Sequence, residues 1–247
     1  NYSFDFSHLD TRELRGGPAL RVDGEQQASI HVSSDGSKNL FGNLGLHYNQ
    51  YPGTGSHLGT IHAELAWIPI RKIQLSSFFS MTERVYHQQY VNTLQGATFA
   101  HYLTGHIDQY TASLTFRGEL FLSPELSIQY YGSPYHSVGR YERFGRLDDA
   151  MASDLNRRFK TLDVAYNDRD NSYSYEDNGE SLSFDNPDFS FMQFRSNLVF
   201  RWEYKLGSIL YLVWAHDRSG LENHYHPVSD MAGELFGATG NHVFMFK

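Results

Sequence analysis

The chain has 247 residues, 20 Lys and Arg against 28 Asp and Glu, a formal net charge of −8 and no cysteine. That balance excludes a phosphate-dominated nucleic-acid partner, which needs clustered cations. The missing thiols exclude disulfides, zinc-thiolate sites and cysteine catalysis. Aromatic residues are abundant, with 18 Phe, 17 Tyr and 3 Trp. The longest apolar run, Ile209 to Ala215, falls far short of the ~20 residues that a membrane-spanning helix needs. The sequence opens at Asn1 without Met or a signal peptide, which reads as a processed chain or a piece of a longer one.

Period-2 alternation dominates the chain and predicts half-buried strands. A short strand is expected at Tyr2 to Phe6. Ala28, Ile30 and Val32 then alternate with Gln27, Ser29, His31 and Ser33. Leu40, Leu44, Leu46 and Tyr48 form the next apolar set, followed by Ile61, Ala63, Leu65 and Trp67. Further sets are Ile73, Leu75, Phe79 and Met81; Tyr110, Ala112, Leu114 and Phe116; and Leu126, Ile128 and Tyr130. The clearest is Phe194, Ser196, Leu198, Phe200, Trp202 and Tyr204 against Gln193, Arg195, Asn197, Arg201 and Glu203. Ile209 to Trp214 is apolar on both faces, so a cover is expected on its inner side. Val243 to Phe246 alternates up to Lys247, and the chain is expected to continue beyond it. Asp230 to Phe236 has the pattern of a short loop helix, with Gly237 as its stop. About nine strands are counted between Ala28 and Phe246, with Tyr2 to Phe6 as a tenth.

The connections alternate in length. Tight turns are expected at Ser34-Asp35-Gly36-Ser37, Pro69-Ile70, Leu122-Ser123-Pro124-Glu125 and Leu206-Gly207. Longer links are expected over roughly 50–58, 83–107, 135–189 and 217–240. Tight turns at one end and long loops at the other characterise an up-and-down outer-membrane barrel. Tyr48, Tyr51, Trp67, Tyr86, Tyr90, Tyr130, Tyr131, Trp202, Tyr204 and Trp214 lie near strand ends, where interfacial aromatic girdles sit. The fold expected is therefore all-β, an antiparallel up-and-down transmembrane barrel with about ten strands visible and part of a larger barrel. A soluble β-sandwich binding module is the alternative. It fits less well, because a sandwich core does not hold Gln193, Arg195, Asn197, Arg201 and Glu203 while Phe200 and Trp202 meet water.

Several stretches carry a family resemblance. They are Arg15-Gly16-Gly17-Pro18, Tyr130-Tyr131-Gly132-Ser133-Pro134-Tyr135, Asn186-Pro187-Asp188-Phe189-Ser190-Phe191 and the run from Phe194 to Tyr204. Gly207-Ser208 and Leu210-Tyr211-Leu212-Val213-Trp214 complete the set. Together they resemble the C-terminal β-barrel domain of uncharacterised Bacteroidota-type outer-membrane proteins. Those proteins carry an N-terminal module similar to family-nine carbohydrate-binding domains. The resemblance implies one barrel domain over 1–247, a C-terminal part of a longer protein, in the cell outer membrane. It also points towards glycans, through a module this chain lacks.

Candidate chemistry follows from the faces. His62, Glu64, Arg117, Glu119, Arg195, Arg201 and Glu203 all fall on the polar face, where they would line a lumen and set solute preference. The 135–189 segment, read as a long extracellular loop, carries Tyr141, Tyr166, Tyr173 and Tyr175 as candidates for sugar or protein contact, and so many aromatics favour an ordered loop. His224-Tyr225-His226 reads as a surface loop, since no HExxH motif or persuasive carboxylate spacing accompanies it. The acidic stretch from Asp168 to Glu180 misses the calcium-loop spacing and reads as solvated. Gly53-Thr54-Gly55-Ser56-His57 is a near miss for a nucleophile elbow and reads as a flexible loop. No catalytic residue, metal or cofactor is assigned. The function expected is a pore or docking component of an outer-membrane assembly. Its partners would be membrane lipid, other outer-membrane subunits and glycan, with no nucleic acid. An outer-membrane hydrolase acting on glycans or lipids is the competing class.

Overall fold

The structure is a computed structural model in which residues 1–225, 233, 235, 237 and 239–247 are described. Strand accounts for 73% of it and helix for 3%, so the chain is all-β. In chain order the N-terminal strands are β1 (Tyr2–Asp5), β2 (His8–Asp10), β3 (Leu20–Val22) and β4 (Glu25–Ser33). The long strands β5 (Leu40–Tyr51), β6 (Ser56–Ile70), β7 (Ile73–Gln95), β8 (Ala100–Ser123) and β9 (Leu126–Leu147) follow. A short helix, α1 (Leu155–Arg158), leads to β10 (Phe159–Thr161), β11 (Val164–Asn167), β12 (Ser172–Asp177) and β13 (Glu180–Asp185). The chain returns to long strands with β14 (Phe189–Lys205), β15 (Ser208–Glu222) and β16 (Asn241–Phe246).

One antiparallel sheet dominates, in the order β1-β4-β5-β6-β7-β8-β9-β14-β15-β16, with β10 added to β9. The path contains the nine strands expected from Glu25 onwards, plus the short one at the N-terminus. Among the described residues β1 and β16 do not pair with each other, so the sheet is open rather than closed.

Pairing sorts the side chains into two faces. One row can be followed through Leu40, Trp67, Leu75, Gly118, Tyr130, Leu198, Trp214 and Phe244, each opposite the next. A row on the other face runs from His31 through Gly45, His62, Ser80 and Ser113 to Tyr135 and Gln193. Along β4 to β6 the apolar face is the more exposed of the two: Ile30 is 65% and Leu65 50% accessible, and Val32, Leu44 and Leu46 are also exposed, whereas on β9 and β14 the same face buries Val138 and Met192. This inverts the usual arrangement of a soluble domain, in which the apolar face of a sheet is covered.

Several expected loop boundaries are corrected. The 83–107 link is strand almost throughout, because β7 and β8 run on to a hairpin at 96–99. Bulges between Tyr86 and Gln89 and between Tyr90 and Asn92 shift the register and erase the period-2 signal. The 50–58 link shrinks to the four residues between Tyr51 and Ser56, and β15 runs to Glu222. The 135–189 segment begins as strand up to Leu147, and its remainder holds α1 and four short strands. Ile209 and Met245 stay exposed on the polar face, so the cover expected over Ile209 to Trp214 is not made by described residues. The helix expected at Asp230 to Phe236 lies outside the described residues, apart from Gly233 and Leu235.

The prolonged β7, β8 and β9 carry a compact core of their own. Leu103 and Phe144 pack with Leu162, Tyr175 and Phe184 from the following segment. That segment forms a second sheet, β11-β12-β13. Its central hairpin turns on Asn178 (φ 52°) and Gly179 (φ 81°), the Asn-Gly pair suited to a two-residue turn with both central residues left-handed.

Candidate functional site on the polar face

All seven polar-face candidates share one side of the main sheet, as the registers require. Glu64 lies opposite Asn43 and Phe78, and His62 opposite Gly45 and Ser80. Arg117 faces Ser76 and Tyr131, and Glu119 faces Gln74 and Gln129. Arg195 faces Ser133 and Asp217, and Arg201 faces Ser127 and Tyr211. Their local roles differ. The Arg117 guanidinium sits 5.4 Å from the Tyr131 ring centre, a cation–π geometry. Arg201 pairs with Glu203 at 3.4 Å, and Glu203 also accepts the Gly207 backbone N–H at 3.0 Å. Glu203 thus holds the β14–β15 turn together and stands at the tight-turn end of the sheet.

Two further histidines join His62. His31 occupies the same cross-strand row, with Gly45 between them, and His47 is two residues along β5 on the same face. The ring centres lie 4.7 Å (His31–His47), 5.5 Å (His31–His62) and 5.3 Å (His47–His62) apart. Sequence reasoning missed this group because its members stand 15 or more residues apart. The signal available was the register: once Ile30, Leu46 and Ile61 align on the apolar face, the three histidines align behind them.

The tyrosines proposed for loop binding divide by burial. Tyr175 is 3% exposed, and its hydroxyl lies 3.0 Å from His101 Nδ1. Burial, with Asp177 beside it, pushes its phenol up to about 12. Tyr173 packs on Phe144 and Phe184, and Tyr141 lies against the same core. Tyr175 belongs to the core itself, and the half-buried Tyr141 and Tyr173 pack against it. Tyr166 is 48% exposed, with its hydroxyl donating to Asn171 Oδ1 at 2.9 Å.

The reading of Asp168 to Glu180 as solvated fails at Asp177. Its carboxylate is buried and bridges Arg146 Nε and Lys160 Nζ at 2.5 Å each. Burial alone would raise its pKa, but the two cations overcome that and hold it below the usual carboxylate range. With both oxygens engaged by cations, Asp177 has no free face for calcium. Ser56 is likewise committed: its buried hydroxyl accepts the His87 backbone N–H at 3.0 Å and contacts Thr54 Oγ1 at 2.8 Å. His224 pairs with Glu222 at 3.1 Å, while His226 lies outside the described residues.

A second polar cluster sits at the base of the extension. His106 is buried, with Nε2 at 3.1 Å from Asp108 and Nδ1 at 2.9 Å from His87 Nδ1. Asp108 fixes the proton on His106 Nε2, so the neutral pair has His87 donating to His106. Burial, with His106 and Arg143 nearby, lowers the His87 pKa. No family model matches the sequence, and no curated protein matches it either.

Proposed function

We propose that the chain forms the wall of an outer-membrane β-barrel, its apolar face against lipid and its polar face lining an interior, as a pore or docking component. The exposed apolar face carries this reading. Ile30, Val32, Leu44, Leu46 and Leu65, on the adjacent strands β4 to β6, present a contiguous apolar surface with no described element over them. Soluble monomers rarely expose apolar patches above a few hundred Å², whereas a barrel wall must do so across a band ~25 Å tall. The strands suffice, since β5, β6, β14 and β15 have 12, 15, 17 and 15 residues and a tilted crossing needs about 9–11. Hydrocarbon does not tolerate unpaired strand edges, so on this reading further strands join β1 and β16 to complete the ring. The ordered extension, with Tyr166 exposed on it, supplies the surface where a glycan or a second subunit would dock.

The test is membrane partition of the untagged full chain. On the proposal it floats with lipid vesicles, resists extraction by alkaline carbonate and needs detergent to stay monodisperse. Conductance in a planar bilayer that changes with Arg201→Glu would then favour the pore over the docking role. A monodisperse species in plain buffer that ignores vesicles would overturn the membrane reading and restore the soluble binding module.

A further inference from the structure

We propose that His31, His47 and His62 bind one divalent transition-metal cation on the polar face of the main sheet. The inference stands on the geometry of the three side chains and not on the barrel reading.

The arrangement depends on an omitted side chain. His31 and His62 lie on strands separated by β5, and the residue between them in the row is Gly45. Strands spaced ~4.8 Å apart would hold the two backbones near 10 Å, yet the rings close to 5.5 Å between centres. They do so by leaning over Gly45. A methyl built there would overlap Cε1 and Nε2 of His62 and stand 2.9 Å from Nδ1 of His31. His47 closes the third side, two residues along the same strand, and Phe78 stacks on the far side of His62 at 6.0 Å.

The chemistry of the group supplies the second argument. One ring nitrogen from each of the three histidines lies within 4.8 Å of the other two. None of the three is hydrogen-bonded to a described residue, whereas His87, His101, His106, His216 and His242 all are. Three imidazoles gathered without proton partners are three nitrogen donors lacking an acceptor, and a cation completes them. Nitrogens bound tetrahedrally at ~2.0–2.1 Å lie about 3.3 Å apart, a contraction that rotation of the exposed His31 ring allows. Imidazole ligands favour Zn²⁺, Cu²⁺ or Ni²⁺ over Mg²⁺ or Ca²⁺, which take oxygen. Three protein ligands leave the fourth position to an exchangeable water. Glu64 lies two residues beyond His62 on the same face and supplies negative charge close by.

A second group, His106, Asp108 and Glu142, also converges, but Arg143 already pairs with Glu142 at 2.9 Å. It serves as the internal control. The experiment titrates Zn²⁺, and Co²⁺ as a spectroscopic stand-in, into the metal-free full chain. The protein carries no histidine tag and is held in detergent micelles, with strand content followed by circular dichroism. We expect one equivalent to bind, with the visible Co²⁺ band of a low-coordinate nitrogen site. His47→Gln and Gly45→Ala should each weaken binding at least tenfold, and His106→Asn should leave it unchanged. Should Gly45→Ala lose strand content, His31→Gln at the exposed position takes its place. The proposal is overturned if the wild type binds no stoichiometric metal, if the His31, Gly45 and His47 variants bind as the wild type does, or if binding is lost in His106→Asn instead. Membrane partition is read separately, so failure here leaves the barrel proposal standing, and the reverse.

Discussion

Arg158 reaches Asp23 across 135 residues of sequence, with Nη1 and Nη2 each 3.3 Å from a different carboxylate oxygen. The guanidinium is 1% exposed and also donates from Nε to the Ala152 carbonyl at 2.9 Å. It pins the segment before β4 to the connection after β9, and the Arg21 N–H to Ala150 carbonyl bond, 2.9 Å, adds a second tie. Breaking one partner of a buried pair strands the other charge and costs about 3–5 kcal/mol. Asp23→Ala should therefore free the N-terminal segment, seen as new protease cleavage between β1 and β4. Unchanged protection would show that the backbone ties alone hold it.

Asp177 predicts an acid-sensitive extension. Its folded-state pKa lies below the unfolded value near 3.9. The stabilisation is thus fully present above that value and is lost as pH falls through the folded pKa. Near-ultraviolet dichroism from the packed tyrosines should fade over that acid range. Asp177→Ala should remove that loss by forfeiting the stabilisation at neutral pH, with a drop on the order of 3 kcal/mol. Calcium should leave the melting temperature of the wild type unmoved, because Arg146 and Lys160 already hold the carboxylate.

His87 predicts a milder effect closer to neutrality. Its pKa is depressed in the fold, so its contribution is present above the unfolded value of about 6.5 and declines as pH drops towards the folded one. Protonation would place a cation in a partly buried site beside Arg143, with the ring against His106 at 2.9 Å. Protease resistance of the β7–β8 hairpin should weaken as pH falls below about 6.5, and His87→Asn should flatten that dependence. An identical slope in the variant would move the effect to another group.

The two faces of the sheet should respond oppositely to charge. Leu46→Arg on the exposed apolar face should cost about 2–4 kcal/mol of insertion if the face meets lipid, and should cut the vesicle-bound fraction sharply. Ser80→Arg, on the polar face one strand from His62, should leave that fraction unchanged. Equal behaviour of the two variants would argue against a lipid-facing band.

The strand count and the two faces were legible because the side-chain period of a strand is two, and Phe194 to Tyr204 keeps it through consecutive residues. The extension was not, because its alternation is broken where β7 bulges at Tyr86 and Tyr90. Its polar residues, Arg84, His87 and Gln89 among them, resemble loop composition while being paired as strand. Asp177 looked solvated for the same reason: its partner Arg146 is 31 residues away, and only the fold brings the two together. The three histidines needed a register that composition does not carry. The loop pattern predicts a barrel of which these ten strands are a part, and the described sheet is open between β1 and β16.

The reach of β7, β8 and β9 has a consequence of scale. They run to 23, 24 and 22 residues, at least ten more than a bilayer crossing requires. At ~3.3 Å per residue and a 45° tilt, ten residues lift the tyrosine core about 23 Å. The headgroup layer on one side of a membrane is only about 5–8 Å deep. On the membrane reading, whatever grips Tyr166 is caught well clear of the lipid surface, at a height that the headgroups of the bilayer do not reach.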